Sequence, residues 1–342
     1  MTRKHSAEWE PHQACWLAFP RLEEEWPNAF EGACQEWADL CRGILDLDPE
    51  TGKPRGESLE ILVFDESVQQ QAQGYLGDLP VTFRQLPYDD IWLRDIAPVF
   101  VREDDRLMAI NFEFNVWGNK FDFPNDITTA GAISASISVP EDRIELIAEG
   151  GALEPDGQGT VLTTKQCLLN PNRNPDLSQA QVAQLLKQAC GYEKVLWLDE
   201  GLMNDHTDGH IDTLARFVMP GVVMVMLPQT KEDPNSTRLN AIADQLTGMT
   251  DAQGRQLQIV AIPSPGRVTN IDGEVLPATY LNFYIANSTV IVPVYGTPFD
   301  DEAVEKIAAC FPTRRTIGLS ARSLMTGGGS FHCITQQQPC LR

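Results

Sequence analysis

IDTLARFVMPGVVMVMLP, residues 211–228, consists of two apolar runs hinged on Pro220-Gly221. Proline followed by glycine between β-rich runs reads as a tight turn, so Ile211–Phe217 and Val222–Leu227 are expected to pair as a hairpin. Helical spacing resumes at Asn235–Leu246. The same order recurs in VFVREDDRLMAINFEFN (99–115), GALEPDGQGTVLTT (151–164) and YLNFYIANSTVIVPVYG (280–296). Their turns are marked by Asp104-Asp105, Pro155-Asp156-Gly157 and Asn287-Ser288. Repeated strand–hairpin–helix units with no linker between them favour blades around an axis over one doubly wound sheet.

Working outward, apolar residues at three- and four-residue spacing predict helices over Asn28–Leu47, Asp65–Leu76, Ser178–Cys190 and Asp300–Cys310. Further strands are expected at Leu59–Phe64, Val81–Leu86, Pro98–Arg102, Leu107–Phe114, Thr160–Thr164, Leu257–Ile262, Leu281–Ala286, Val290–Tyr295 and from Ile334 onward. Helices and strands alternate throughout, which is the α/β class. Thr51–Glu57 reads as a loop insertion. No boundary divides the chain, so a single domain over residues 1–342 is expected.

With 342 residues, 42% of them hydrophobic, the chain can bury a large core. The start, MTRKHSAEWEPHQACW, has basic residues but no continuous apolar segment behind them, and no signal peptide is read there. The run around Val218–Leu227 is interrupted by Pro220 and is too short to span a bilayer. The expectation is a soluble, cytoplasmic protein with no membrane partner. Its eight cysteines form no C-x-x-C pair and should be reduced, most of them as small buried side chains. Against 26 Lys+Arg stand 48 Asp+Glu, a net charge of −22. That charge repels nucleic acid and permits a cationic ligand drawn in by the field. The sequence leaves homo-oligomer formation open.

The chemistry is concentrated in GGGSFHCITQQQP (327–339). Three glycines allow close backbone approach, and Cys333 follows as nucleophile, metal ligand or structural residue. Other polar residues sit at the edges of the units: Asp95 ends DDIWLRD, Glu149 precedes two glycines, and His210 and Asp212 lie in NDHTDGHID. Each has a plainer reading. Asp95 could pair with Arg94, and Glu149 could cap the Gly150-Gly151 turn. His210 and Asp212 would face one side of a strand and hydrogen-bond there. Trp92, Trp117 and Trp197 individually suit a core. His206 and His210 have helical ligand spacing, but HTDGH runs into β-branched residues. There is no H-E-x-x-H or paired-cysteine signature, so no metal and no cofactor is expected. Nor does the surrounding sequence match a papain-like protease.

A resemblance sharpens this. PHQACWLAFP (11–20), DDIWLRD (89–95), FNVWGNK (114–120), EGGALEPDGQGTVLTT (149–164), LLNPNRNP (168–175), DGHIDTLARF (208–217), YLNFYIAN (280–287) and HCITQQQP (332–339) run in family order over nearly the whole chain. The chain resembles the agmatine deiminases of the bacterial peptidylarginine-deiminase-like branch of the guanidino-group-modifying (pentein) superfamily. Residues 96–99 depart from the family pattern, reading IAPV where many relatives have T-G-P-T.

The resemblance implies a pseudo-fivefold α/β propeller that hydrolyses agmatine to N-carbamoylputrescine and ammonia through an amidino-cysteine. By the same resemblance Asp95 and Asp212 grip the guanidinium, Cys333 attacks its carbon, His210 moves protons and Glu149 orients His210. Trp92, Asp90 and Asp208 are the candidates for the substrate tail. Free arginine would instead need Arg94 or Arg322 for its carboxylate, and an open site for peptidyl-arginine is the alternative reading.

Overall fold

In the computed structural model, which describes residues 2–341, the hairpin at Pro220-Gly221 forms. The ends of the expected domain, 1 and 342, lie outside the described residues. Ala215–Met219 pairs antiparallel with Val222–Leu227, with a register shift between Phe217 and Met219. The first strand begins later than its sequence suggests, because Ile211–Thr213 closes a 3-10 turn instead. A third strand, Gln258–Pro263, then pairs parallel with Val222–Leu227. A parallel neighbour needs a crossover, and a helix provides it.

Six helices of more than ten residues make these crossovers: α1 Phe30–Leu45, α2 Glu66–Leu76, α3 Asp126–Ser136, α4 Gln179–Cys190, α5 Ser236–Leu246 and α6 Asp300–Cys310. Side-chain capping explains two of these starts. The Asp65 carboxylate accepts from Val68 N–H at 2.9 Å ahead of α2, and Ser178 with Gln181 forms a capping box ahead of α4.

Five small mixed sheets result. Four follow the same antiparallel-pair, helix, parallel-strand plan: Val99–Glu103, Arg106–Glu113 and Glu141–Ile147 around α3; Glu154–Pro155, Thr160–Thr164 and Lys194–Leu198 around α4; the 215–263 unit around α5; and Tyr284–Ile285, Thr289–Val294 and Arg315–Ser320 around α6. The fifth sheet joins the two ends of the chain. Gln336–Pro339 pairs antiparallel with His12–Ala18, which pairs parallel with Ser58–Val63 and through it reaches Thr82–Gln85. This is the pseudo-fivefold α/β propeller. Neighbouring residues on one strand serve opposite faces: Leu162 belongs to the larger apolar cluster, while Val161 joins a second one between α4 and the Val99–Glu103 sheet.

Where the units meet, the chain buries charge. The Arg216 guanidinium is fully buried. It donates to Glu8 and Glu154 at 2.9 Å each, and to the carbonyls of Leu281 and Phe283 at 2.9 and 2.7 Å. One side chain thus ties the N-terminal segment to three sheets. Replacing Arg216 with methionine leaves the buried Glu154 without its ion-pair partner and Glu8 without one of its cations, a loss of about 3–5 kcal/mol. A urea-denaturation midpoint shift equivalent to under about 1 kcal/mol would show that this hub does not hold the sheets together.

Candidate active site

Cys333 follows the 3-10 turn Leu324–Gly327 and the glycines after it, at one wall of a recess. The glycines are required by packing at one point above all. A Cβ on Gly329 would stand 2.5 Å from the Trp92 ring and 3.1 Å from Cys333 Cβ. The Cys333 thiol is 8% exposed. Its Sγ lies 3.1 Å from Asn282 Nδ2 and 3.7 Å from Asp212 Oδ2.

Asp95 and Asp212 reach the site from the short helical turns Leu93–Ile96 and Ile211–Thr213. The plain Asp95–Arg94 pair does not form. Arg94 turns away to Gln337 at 2.6 Å and to Glu8 at 3.6 Å, while Asp95 accepts from Gly151 N–H at 3.0 Å and Trp117 Nε1 at 2.8 Å. Trp117 is aimed by an unusual backbone: Val116, Trp117, Gly118 and Asn119 all have positive φ. For the three non-glycine residues such conformations cost about 1–3 kcal/mol each and persist only where their surroundings enforce them.

His210 and Asp212 do not alternate on a strand as expected, since His210 caps the 3-10 turn that contains Asp212. Both still converge on Gly151. A Cβ there would meet His210 Nδ1 at 2.5 Å, Asp95 Oδ1 at 2.8 Å and Asp212 Oδ2 at 3.3 Å, so only glycine lets the three approach. The imidazole lies between two carboxylates, with Nδ1 3.6 Å from Asp95 and Nε2 3.7 Å from Glu149. Neither ring nitrogen has a hydrogen-bond partner among the described residues. Glu149 does not simply cap its glycines: it accepts from Arg173 Nε at 2.7 Å and lies 3.8 Å from the Cys167 thiol.

Burial disfavours an imidazolium at His210, yet Asp95, Cys167 and Glu149 outweigh it and raise its pKa well above the ordinary value. Asp95 is pushed up to about 6, chiefly by burial, with Asp212 and Glu149 adding repulsion. Burial would also raise Asp212, but the hydrogen bond and charge of His332 outweigh it and hold it low. Burial, then Asp212 and Asp95, lift the Cys333 thiol well above the ordinary cysteine range.

Of the tail candidates, Trp92 and Asp90 line the recess, together with Glu25, Trp117, Phe121 and His206. Asp208 stands outside that lining, engaged by Lys120 at 2.7 Å and Arg173 at 3.1 Å. Arg94 and Arg322 are also absent from it, and Trp197 packs against the second apolar cluster. Glu149, Cys167 and His210 form the one three-residue group of metal-ligand types found among the described residues.

Sequence reasoning missed four contributors. His332 donates or accepts at both ring nitrogens, 2.7 Å from Asp212 and 2.7 Å from Glu8. Asn282 contacts the thiol, and its Oδ1 accepts from the backbone of His332 and Cys333 at 3.1 and 3.3 Å. The signal available for Asn282 was a lone polar residue in an apolar strand-like run. For Arg173 and Glu8 the sequence carries none, because each acts through a partner distant in the chain.

The thiol's environment can be measured. With its pKa raised by burial and two carboxylates, Cys333 should be alkylated by iodoacetamide with a rate midpoint above the roughly 8.5 of a free cysteine. Asp95→Asn and Asp212→Asn should each move that midpoint down, since each removes a negative neighbour. A wild-type midpoint at or below that of a free thiol, mapped to Cys333 by peptide mass, contradicts this account.

Residues 4–339 match the family of Porphyromonas-type peptidyl-arginine deiminases. A Mycoplasma capricolum protein that carries a provisional agmatine deiminase name is 34% identical, over 97% of this chain and 94% of that one. The agmatine deiminase structure from Enterococcus faecalis superposes with a TM-score of 0.91 at 29% identity, covering 100% of this chain and 97% of that one. A substrate-bound agmatine deiminase from C. jejuni gives 0.88 at 27% identity, covering 99% and 97%. The chain belongs to the Porphyromonas-type peptidyl-arginine deiminase family.

Proposed function

We propose that the protein hydrolyses agmatine to N-carbamoylputrescine and ammonia in the cytoplasm, with its five units acting as one catalytic domain. One observation carries the choice of substrate. Three carboxylates, Glu25, Asp90 and Asp95, line the recess, and no lysine or arginine does among the described residues. A ligand with a cation at each end and methylenes between suits that lining. The guanidinium goes to the floor, the chain against Trp92 and Phe121, and the distal ammonium toward Asp90 and Glu25. Free arginine would bring a carboxylate with no cation to meet it. The agmatine deiminase names of the M. capricolum relative and of the E. faecalis and C. jejuni structures support the same substrate, while the family description names peptidyl-arginine.

A guanidinium carbon is a poor electrophile, so the site must hold its plane and supply a strong nucleophile. Asp95 and Asp212 can take its N–H groups; Asp212 Oδ1 is buried with no partner among the described residues. Burial and two carboxylates keep Cys333 protonated; the arriving cation offsets the two charges, and the thiolate forms as the thiol proton is lost to solvent. Sulfur attacks the carbon, a C–S bond forms, and the C–N π electrons move to nitrogen. Ammonia then leaves with a proton from His210, giving an amidino-cysteine. The neutral imidazole takes a proton from water, whose oxygen attacks the same carbon. As the C–S bond breaks, the hydroxyl proton of that adduct passes to sulfur, releasing the urea product and restoring the Cys333 thiol. Glu149, itself held by Arg173, keeps His210 oriented and charged.

Ammonia release from agmatine, arginine and a blocked peptidyl-arginine tests the substrate. The kcat/KM for agmatine is expected to exceed the others by at least about tenfold, or roughly 1.4 kcal/mol in transition-state binding. A higher value for peptidyl-arginine would transfer the assignment to that substrate.

Variants test the division of labour. Cys333→Ala should bind agmatine without turnover, whereas His210→Ala should accumulate an amidino adduct on Cys333, visible by intact mass. Asp95→Asn should weaken binding and chemistry together, by about 1.5–3 kcal/mol for a lost charge-assisted bond. Turnover by Cys333→Ala, or an adduct on another cysteine, would end this mechanism.

A further inference from the structure

Cys167 has no part in the proposed reaction, yet it stands beside the imidazole that moves the protons. Its Sγ is 3.8 Å from Glu149 Oε2, and His210 Nε2 is 3.7 Å from the same oxygen. One ligand atom from each of the three residues falls within 4.8 Å of the others, and all three side chains are buried. Tetrahedral zinc with sulfur, nitrogen and oxygen ligands separates neighbouring donors by roughly 3.3–3.6 Å. The two distances to Glu149 Oε2 therefore need only a few tenths of an ångström of contraction, and the sulfur–imidazole separation, within 4.8 Å, needs at most about 1.2 Å. A second observation points to an unfilled role: both nitrogens of the 1%-exposed His210 ring lack a hydrogen-bond partner among the described residues.

We infer that Glu149, Cys167 and His210 form an inhibitory site for a thiophilic divalent cation such as Zn²⁺, distinct from the Cys333 thiol. The donor set, one thiolate, one imidazole and one carboxylate, is that of a zinc site rather than of magnesium or calcium. The neighbouring Arg173 does not forbid it. Arg173 holds Glu149 through Oε1, leaving Oε2 to face the other two donors. Ligation also displaces protons: the thiol gives one up, and so does a charged imidazole. One Zn²⁺ entering as two protons leave keeps the local charge unchanged. The route inward is the recess, since Asp95 lines it and lies 3.6 Å from His210 Nδ1. Zinc on His210 would take the imidazole out of proton transfer without touching the nucleophile. That consequence rests on the role proposed for His210; the binding itself does not.

Binding can therefore be read without turnover. Co²⁺ alone, added to full-length Cys333→Ala protein, should give a sulfur-to-cobalt charge-transfer band at a stoichiometry of one. Zn²⁺ should abolish the band by displacement. Cys167→Ala and His210→Ala, each confirmed folded by circular dichroism, should weaken Co²⁺ binding at least tenfold. Deiminase inhibition by Zn²⁺ should require at least tenfold more metal in Cys167→Ala than in the parent. A band kept by both folded variants, or lost in Cys333→Ala, would place the metal elsewhere and overturn the inference. Binding as expected with unaltered turnover would instead count against the role of His210 and leave the metal site standing.

Discussion

Five sheets that share no strand ladder depend on contacts between side chains as well as scattered backbone bonds, and the buried Arg216 joins three of them. A guanidinium in a dry interior is tolerated only if every donor and its charge are met. Here two carboxylates and two carbonyls meet it, from three separate stretches of the chain. The requirement propagates. Glu8, fixed by Arg216, also holds His332 Nε2, and His332 Nδ1 holds Asp212 Oδ2, 3.7 Å from the Cys333 sulfur. The fold's central charge balance and the position of the reactive thiol are one connected network.

The hairpins were legible in the sequence because their turn residues are local signals; their fourfold repetition pointed to blades around an axis, and the fivefold count came from the family resemblance. In three units the third strand, Glu141–Ile147, Lys194–Leu198 or Arg315–Ser320, was less visible. Arg315–Ser320 reads RTIGLS and is half exposed at a sheet edge, so it needs little of the apolar alternation that marks a strand. α3 reads DITTAGAISAS, with small and β-branched residues in place of a clear apolar stripe. Ile211–Thr213 looks like a strand because Ile and Thr favour strands, but the local turn overrides that preference to aim Asp212 inward. Of the site, the reactive side chains were legible as motifs. Their supports were not, since His332 and Glu8 are 324 residues apart and no local pattern encodes such a pairing.

The electrostatics of the recess make sense only with a cation in it. Asp90 is raised to about 7 by burial, Asp95 to about 6, and Cys333 well above its ordinary range. Each shift has burial as its first cause, and for Asp95 and Cys333 nearby negative charge adds to it. A dication such as agmatine would supply the opposing charge, with the guanidinium near Asp95, Asp212 and Cys333 and the ammonium near Asp90. In the proposed reaction, binding energy is therefore partly spent on creating the charged forms that chemistry needs. A neutral or anionic ligand of the same shape could fill the volume and still leave the thiol protonated. Selectivity for cations and activation of the nucleophile are then the same physical event, which is why the carboxylates sit against the sulfur rather than at a distance from it.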